Sequence, residues 1–469
     1  MDKASSGWNG DLSVTYGRNE AKLRNVQTIN PDLLADQGNP QSDFSVGSFT
    51  SSELTTNFDL RRPFAIEGLA TPLNVAVGLE DRYETFKIGA GEPNSYYSGG
   101  SQAFPGFRLT DQASANRNSV AAYVDLSTHI TSKWELGVAG RAEHYEGVGS
   151  NQTGKLTTRY DFTPQFALRS TLSNGFHAPS LAQQYYSATT VTTGFAQIQL
   201  PLGSAGAKLL GAPDLKPETS RNFSLGLVAE PVRGVHASID AYLINIDDRI
   251  IQSGSLSGSL AAAAIAANGS VIPSGVPASS VSAAFFTNGV DTRTSGIDAS
   301  VDYLSDLAQY GAIKWVLSGG YNKTTIRHIN DAPAALQAAG LSLVDSVQVS
   351  NLTTATPHTK VSLAATFIKD AWEVTLRETL YGKSSQVQGY APGPYYTYET
   401  HSAYITDVNV GYNFTGQVKV DIGASNLFNT YPNKVPASVY QSLNYDQYSH
   451  VSPYGVNGGY YYARLSASF

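Results

Sequence analysis

Alternation of apolar with polar or very small side chains dominates this chain and leaves few folds open to it. In NFSLGLVAE (222–230), Phe223, Leu225 and Leu227 share one face while Asn222, Ser224 and Gly226 share the other. In VHASIDAYLINI (235–246), Val235, Ala237, Ile239, Ala241 and Leu243 stand opposite His236, Ser238 and Asp240. A period of two is the mark of an extended strand with different surroundings on its two faces. Sixteen runs follow this pattern: 11–17, 53–61, 73–84, 118–127, 134–145, 155–162, 166–176, 222–230, 235–246, 295–304, 313–324, 360–368, 372–382, 403–414, 418–428 and 459–469. The last reads GYYYARLSASF, with Tyr461, Ala463, Leu465, Ala467 and Phe469 on one face.

The connections alternate as regularly as the side chains. Short turns are expected at 130–133, 163–165, 231–234, 305–310, 369–371 and 415–417, with a longer one at 63–72. Long loops are expected at 30–49, 92–117, 177–221, 253–288, 327–358, 384–402 and 429–458, and a brief one at 147–153. Short turns on one rim and long loops on the other are the signature of an outer-membrane barrel. A soluble propeller would repeat about every forty residues, and no motif recurs at a fixed period. A soluble sandwich would carry Lys and Glu outside, whereas these polar faces hold Ser, Thr, Asn, Gly and paired charges. Only 15% of residues are charged, against about a quarter in soluble domains.

No run of 18 apolar residues exists, so no transmembrane helix is expected. The most apolar run, SLAAAAIAA (259–267), is too short to span. Aromatics gather at strand ends, among them Tyr16, Phe64, Tyr160, Phe162, Phe176, Tyr303, Phe414 and Phe428, as interfacial girdles would require. One residue breaks the pattern. Alternation from Trp372 puts Glu378 on the apolar face, so a bulge or the membrane rim must lie nearby. The expected fold is therefore all-β: an antiparallel transmembrane β-barrel of about sixteen strands in this chain. It occupies residues 1–469 as a single unit in a bacterial outer membrane.

Five stretches carry a family resemblance. GFHAP (175–179), LKPETS (215–220), TSGID (294–298), NLFNTY (426–431) and the terminal Phe469 occur in that order, each at an expected strand end or loop entry. Together they resemble the C-terminal barrel of TonB-dependent outer-membrane receptors. The resemblance covers roughly 70–469 well and the earlier part more loosely. It implies a barrel of 22 strands, a globular plug preceding it and a TonB-contacting box before the plug. This chain shows no plug, no box and, in MDKASSGWNG, no signal peptide, so it is read as the C-terminal portion of such a receptor. The implied function is uptake of a scarce small-molecule ligand: a siderophore-like or cobalamin-like compound, or an oligosaccharide. The implied partners are outer-membrane lipid, the TonB complex through the plug alone, and the barrel assembly machinery, which would recognise Phe469. A sixteen-stranded diffusive porin is the alternative, since an even strand count permits closure.

Catalysis finds no support: no HExxH or GxSxG motif occurs, and Cys 0 removes thiol chemistry. Glu80, Arg82, Glu84, Arg141 and Glu143 alternate with apolar neighbours and are expected to face inward, pairing with one another or with a plug. On the lipid face, Arg or Lys would cost about 2–4 kcal/mol at the midplane. Loops dense in Tyr supply the ligand-contact candidates: Tyr185 and Tyr186, then Tyr390, Tyr395, Tyr396 and Tyr398, then Tyr440, Tyr445 and Tyr448. A phenol offers a flat face and a hydroxyl; the competing role is self-packing within large loops. His177 and His401 lack a second ligand at metal-binding spacing, and no cofactor or nucleic-acid partner is expected.

Overall fold

The computed structural model describes residues 7–191, 195–270, 272, 276–389, 393–443 and 447–468. Sixteen strands form one antiparallel sheet in chain order. They are β1 (Asn9–Asn25), β2 (Phe44–Phe64), β3 (Leu73–Gly89), β4 (Ala113–Thr131), β5 (Trp134–Tyr145), β6 (Gly149–Thr163), β7 (Phe166–His177) and β8 (Glu218–Ala229). Then come β9 (Val235–Gln252), β10 (Phe286–Asp306), β11 (Ala312–Ile329), β12 (Thr359–Lys369), β13 (Trp372–Tyr381), β14 (Ala403–Thr415), β15 (Val418–Ser425) and β16 (Tyr460–Ala467). Each of the sixteen alternating runs corresponds to one of these strands, although 222–230, 372–382, 418–428 and 459–469 extend past the strand ends.

The strands are longer than the alternation announced. β2 and β10 each have 21 residues, whereas about 9–11 tilted residues cross the hydrocarbon. Their upper halves stand clear of the membrane and lose the strict two-faced pattern, because both faces there meet water or loops. For the same reason Tyr16, expected at a strand end, lies within β1. Phe428, expected to end a strand, lies beyond β15.

Pairing confirms which faces are shared. Leu12, Phe58 and Leu79 are directly opposite one another across β1–β3, and all three are exposed. Exposed large apolar side chains recur on this outward face through Leu225, Ile297, Leu363 and Ile422 to Leu465. Such a continuous apolar exterior is tolerable only against lipid. Glu378 stands in the same outward row as Leu363 and Thr406. The register is unbroken there, so the rim and not a bulge explains it: Tyr381 ends the strand three positions above, and Thr406 Oγ1 donates to Glu378 Oε2 at 2.6 Å. Asp81 also faces outward, between Leu79 and Tyr83.

The inward face is smoothed by cross-strand aromatic–glycine joints. Tyr123 lies over Gly78, Tyr242 over Gly296 and Tyr462 over Gly423, each where a Cβ would collide with the ring. The phenols then reach one strand further. Tyr123 donates to Asp59 Oδ1 at 2.7 Å and Tyr462 to Asn409 Oδ1 at 3.1 Å. A ring laid over glycine restores the packing that the missing side chain forfeits and fixes the register.

Among the described residues no helix is long and apolar enough to cross a membrane. Among the described residues seven short α-helices lie in the long loops: α1 (Pro31–Gln37), α2 (Leu181–Tyr185), α3 (Ala205–Leu209), α4 (Ser259–Ala267), α5 (Ala334–Ala338), α6 (Ser346–Thr353) and α7 (Ala437–Leu443). The apolar run 259–267 is α4. Ala261, Ala264 and Ile265 are fully buried in a core with Ile198, Leu210, Phe285 and Leu336. The described residues of three loops, 178–217, 253–285 and 330–358, thus fold into one lobe on the rim opposite the short turns. Inside it, Val281–Ala284 pairs in parallel with Ala196–Gln199.

Candidate functional site

The charges singled out in β3 and β5 meet across the intervening strand. Glu80 Oε1 accepts from Arg82 Nη2 and from Arg141 Nη2, both at 2.9 Å, and Arg141 Nε lies 3.1 Å from Glu143 Oε1. Glu84 holds Arg117 Nη2 at 2.7 Å. Strand alternation puts all of them opposite the lipid-facing row, because Leu79 and Tyr83 flank Glu80 and Arg82 on the other side. Every side chain in these pairs is less than a third exposed, and each charge has an opposite partner within 3.1 Å. Their consequence is a charged but internally balanced wall.

Arg117 was missed by sequence reading. It is buried, stacks over the Tyr145 ring at 5.0 Å, and donates from Nη1 to the Pro179 carbonyl at 2.6 Å. It therefore ties the entry of the 178–217 loop to the wall. Asp111 was missed as well. Fully buried, it accepts from Ser187 Oγ and Thr189 Oγ1, both at 2.8 Å, and from the Thr189 and Arg108 amides at 3.2 and 3.0 Å. One carboxylate thus clamps two loops. Neither partner set has a periodic signature, since Asp111 and Thr189 are 78 positions apart.

Three of the motifs behind the family resemblance, GFHAP, LKPETS and NLFNTY, sit at strand–loop junctions, where they satisfy backbone groups; TSGID, expected at a loop entry, instead lies in the middle of β10, because that strand runs on above the two-faced segment. Ser180 and Gln183 cap α2 reciprocally just beyond GFHAP. Glu218 Oε1 accepts the Ile250 amide at 2.6 Å, next to a register shift in β9 where Asp248 adopts φ 55°. Asn288 donates to the Lys216 and Asp248 carbonyls at 2.9 and 2.6 Å. In NLFNTY, Asn426 and Asn429 have φ 53° and 56°, and Asn426 closes the turn onto Thr430 through two bonds of 2.7 and 2.8 Å. Asparagine tolerates this left-handed region better than most residues.

The lobe carries a cleft of about 650 Å³ between the 253–285 loop, α6 and the Ser384–Gly389/Tyr395–Thr400 hairpin. Ser255, Leu341, Asp345, Ser350 and Tyr395 are among its lining residues. Asp345 caps α6 through the Val347 and Gln348 amides and accepts from Tyr395 at 3.3 Å. Burial chiefly, and then the Asp345 carboxylate, push the Tyr395 phenol up to about 12. Ser255 Oγ is buried without a hydrogen-bond partner in the structure. A hydroxyl-lined, partly apolar cleft of this size suits a small organic ligand.

The tyrosine candidates do not converge there. Among the described candidates only Tyr395 lines the cleft. Tyr185 is exposed at the end of α2. Tyr186 packs 5.9 Å from Phe49, and burial raises its phenol pKa, with Asp111 adding to the effect. Tyr398 is buried against Val435 and Val439 with Tyr396 beside it, and donates to Gln386 Oε1 at 2.6 Å. Tyr448 stacks on Tyr431 at 5.8 Å, and Tyr440 is half-buried on α7. Tyr390, Tyr445 and Phe469 lie outside the described residues.

A second cleft, of about 480 Å³, lies on the inward wall of β9–β12, lined by Asp240, Asp298, Ser300, Ser318, Lys360 and Ser362 among others. Ser238 and Ser300 face one another at 3.0 Å, and Asp240 holds Arg169 at 2.6 Å. Among the described residues no group of three His, Cys, Asp or Glu is placed to hold a metal ion.

A family model described as "TonB dependent receptor-like, beta-barrel" matches residues 2–427. The probable TonB-dependent siderophore receptor PirA of Acinetobacter baumannii is 22% identical over 411 residues, covering 85% of this chain and 49% of that protein. The vitamin B12 transporter BtuB of Photobacterium profundum is 25% identical over 199 residues, 42% of this chain and 27% of that one. Among solved structures, the siderophore receptor PirA from Acinetobacter baumannii superposes with a TM-score of 0.63 at 20% identity, covering 98% of this chain and 60% of that chain. A ferric enterobactin receptor mutant, PfeA, from Pseudomonas aeruginosa gives 0.62 at 16% identity, covering 98% and 59%. The chain thus spans about half the length of the PirA sequence and 60% of its solved structure.

Proposed function

This chain belongs to the TonB-dependent receptor β-barrel family and lies in the bacterial outer membrane, and on that premise we propose that residues 1–469 are the barrel portion of an active importer of a scarce small molecule. The loop lobe captures the ligand and the hydrated interior passes it inward. TonB acts through a plug domain and not through the barrel wall. Chemistry on the ligand is no part of this role. The observation that carries the reading is the folded lobe: three loops share one apolar core and present a cleft of about 650 Å³ on the rim opposite the short turns. Diffusive pores gain nothing from a core-packed lobe with a preformed cleft. Siderophore and cobalamin classes are favoured over oligosaccharides by the similarity to a siderophore receptor, PirA, and a vitamin B12 transporter, BtuB.

The test is equilibrium binding of the refolded chain to ferric siderophores and to cobalamin, run beside planar-bilayer conductance. Saturable binding of one class, weakened about tenfold or more by closing the cleft with Ser350→Trp, supports the reading. Steady single-channel current with no saturable binding of either class overturns it in favour of a diffusive porin.

A further inference from the structure

Above the apolar band of β8–β11 the outward face turns cationic. The row of Leu225, Ala241, Ile297 and Tyr321 is wholly apolar or aromatic. The next row up reads Phe223, Leu243, Ser295 and Lys323, and the one above it Arg221, Asn245, Arg293 and Thr325. The register is unbroken through these rows, so Arg221, Arg293 and Lys323 project on the same side as Phe223 and Ile297. All three are exposed. Arg293 Nε donates to Asn245 Oδ1 at 2.9 Å, and no carboxylate among the described residues forms an ion pair with any of the three. Two acids stand beside them: Asp247, already held by Arg327 at 3.2 Å, and Asp291, two residues from Arg293 in β10, whose Oδ1 accepts the Asp248 amide at 2.9 Å. Elsewhere on the same exterior the arrangement differs: Arg18 and Lys22 of β1 are both paired with Glu20, at 3.3 and 3.6 Å.

The height of the cluster decides what it meets. Tyr303 and Trp315 pair at the turn end of β10 and β11, where an aromatic girdle marks the lower interface. Arg293 stands ten residues above Tyr303 in β10. Ten residues of strand tilted by about 40° rise roughly 25 Å, the height of the apolar band of an outer-membrane barrel. The three guanidinium and ammonium groups therefore lie at the headgroup level of the outer leaflet. Exposed cations without an ion-pair partner at that level call for anions.

We propose that Arg221, Arg293 and Lys323 form a docking site for the phosphates of the phosphorylated glycolipid of the outer leaflet. Asn245 orients Arg293, and Phe223, Ile297 and Tyr321 lie below against the acyl chains.

The delipidated full chain in neutral detergent is assayed for retention of diphosphoryl lipid A, of the same lipid stripped of phosphate, and of inorganic phosphate as competitor. Folding of each variant is checked by heat-dependent gel migration. Retention of diphosphoryl lipid A is expected to fall roughly fivefold for each cation removed and on the order of a hundredfold in R221S/R293S/K323S. The charge-preserving Arg293→Lys and the inward-facing control Lys155→Ser are expected to retain it. Equal retention by the triple variant, equal retention of the phosphate-free lipid, an equal loss in Lys155→Ser, or full displacement by inorganic phosphate would each overturn the proposal.

Discussion

The phenol of Tyr123 lies flat across the bare backbone of Gly78, and its hydroxyl reaches past that strand to Asp59 Oδ1 at 2.7 Å. Three strands are joined by one side chain. A methyl group at Gly78 would collide with the ring and with the Asp59 carboxylate, so Gly78→Ala is expected to destabilise the barrel by about 1–3 kcal/mol. Tyr123→Phe keeps the ring and loses one bond, costing about 1 kcal/mol. Urea unfolding in lipid vesicles measures both. A smaller loss for Gly78→Ala than for Tyr123→Phe would contradict the joint.

Asp111 is the clamp between the 90–112 and 178–217 loops. Asp111→Ala leaves the Ser187 and Thr189 donors buried without their acceptor, which costs about 2–4 kcal/mol of local stability. Amide hydrogen exchange at Thr189 should quicken while exchange in β3–β6 stays unchanged.

Phe285 tests whether the lobe is a separate folding unit. It is fully buried in the loop core, so Phe285→Ala should cost about 3–5 kcal/mol there. Limited proteolysis should then cut the 253–285 loop sooner, with the heat-dependent gel shift of the barrel unaltered. Loss of the gel shift would show that lobe and barrel fold together.

Glu218 supports the β9 irregularity through the Ile250 amide. Glu218→Gln retains an acceptor and should be nearly neutral, while Glu218→Ala strands a buried donor and costs about 1–3 kcal/mol. Comparable losses in the two variants would mean that charge, not the acceptor, matters.

Tyr395 gives the cleft a pH limit. Its folded pKa, pushed up to about 12, lies above the ordinary phenol value near 10. The folded state therefore holds this proton more tightly than the unfolded one. Its contribution is complete below about pH 10 and is lost as pH rises through about 12. Ultraviolet titration of wild type minus Tyr395→Phe should show one phenol ionising about two units late; ionisation near 10 would remove the burial argument.

The face assignment was legible because it is local. Leu363, Glu378 and Thr406 share a row in the structure as alternation from Trp372 demanded, and the same counting set Glu80 on the face opposite Leu79 and Tyr83. Pairing partners were less legible: that Arg141 meets Glu80 depends on β3, β4 and β5 staggering so that residues 61 positions apart align.

What the sequence determined by itself is which residues meet lipid and which meet water, and where each of sixteen strands lies, because a two-residue period is written in neighbouring side chains. Tertiary structure alone decided what the long loops become. Nothing in SLAAAAIAA names Phe285, Ile198 and Leu336 as its company. Nothing in the Tyr-rich stretches separates Tyr398, which packs inside, from Tyr395, which lines the cleft. Those outcomes rest on contacts between segments far apart in the chain, where burial is set by three-dimensional fit and leaves no periodic trace.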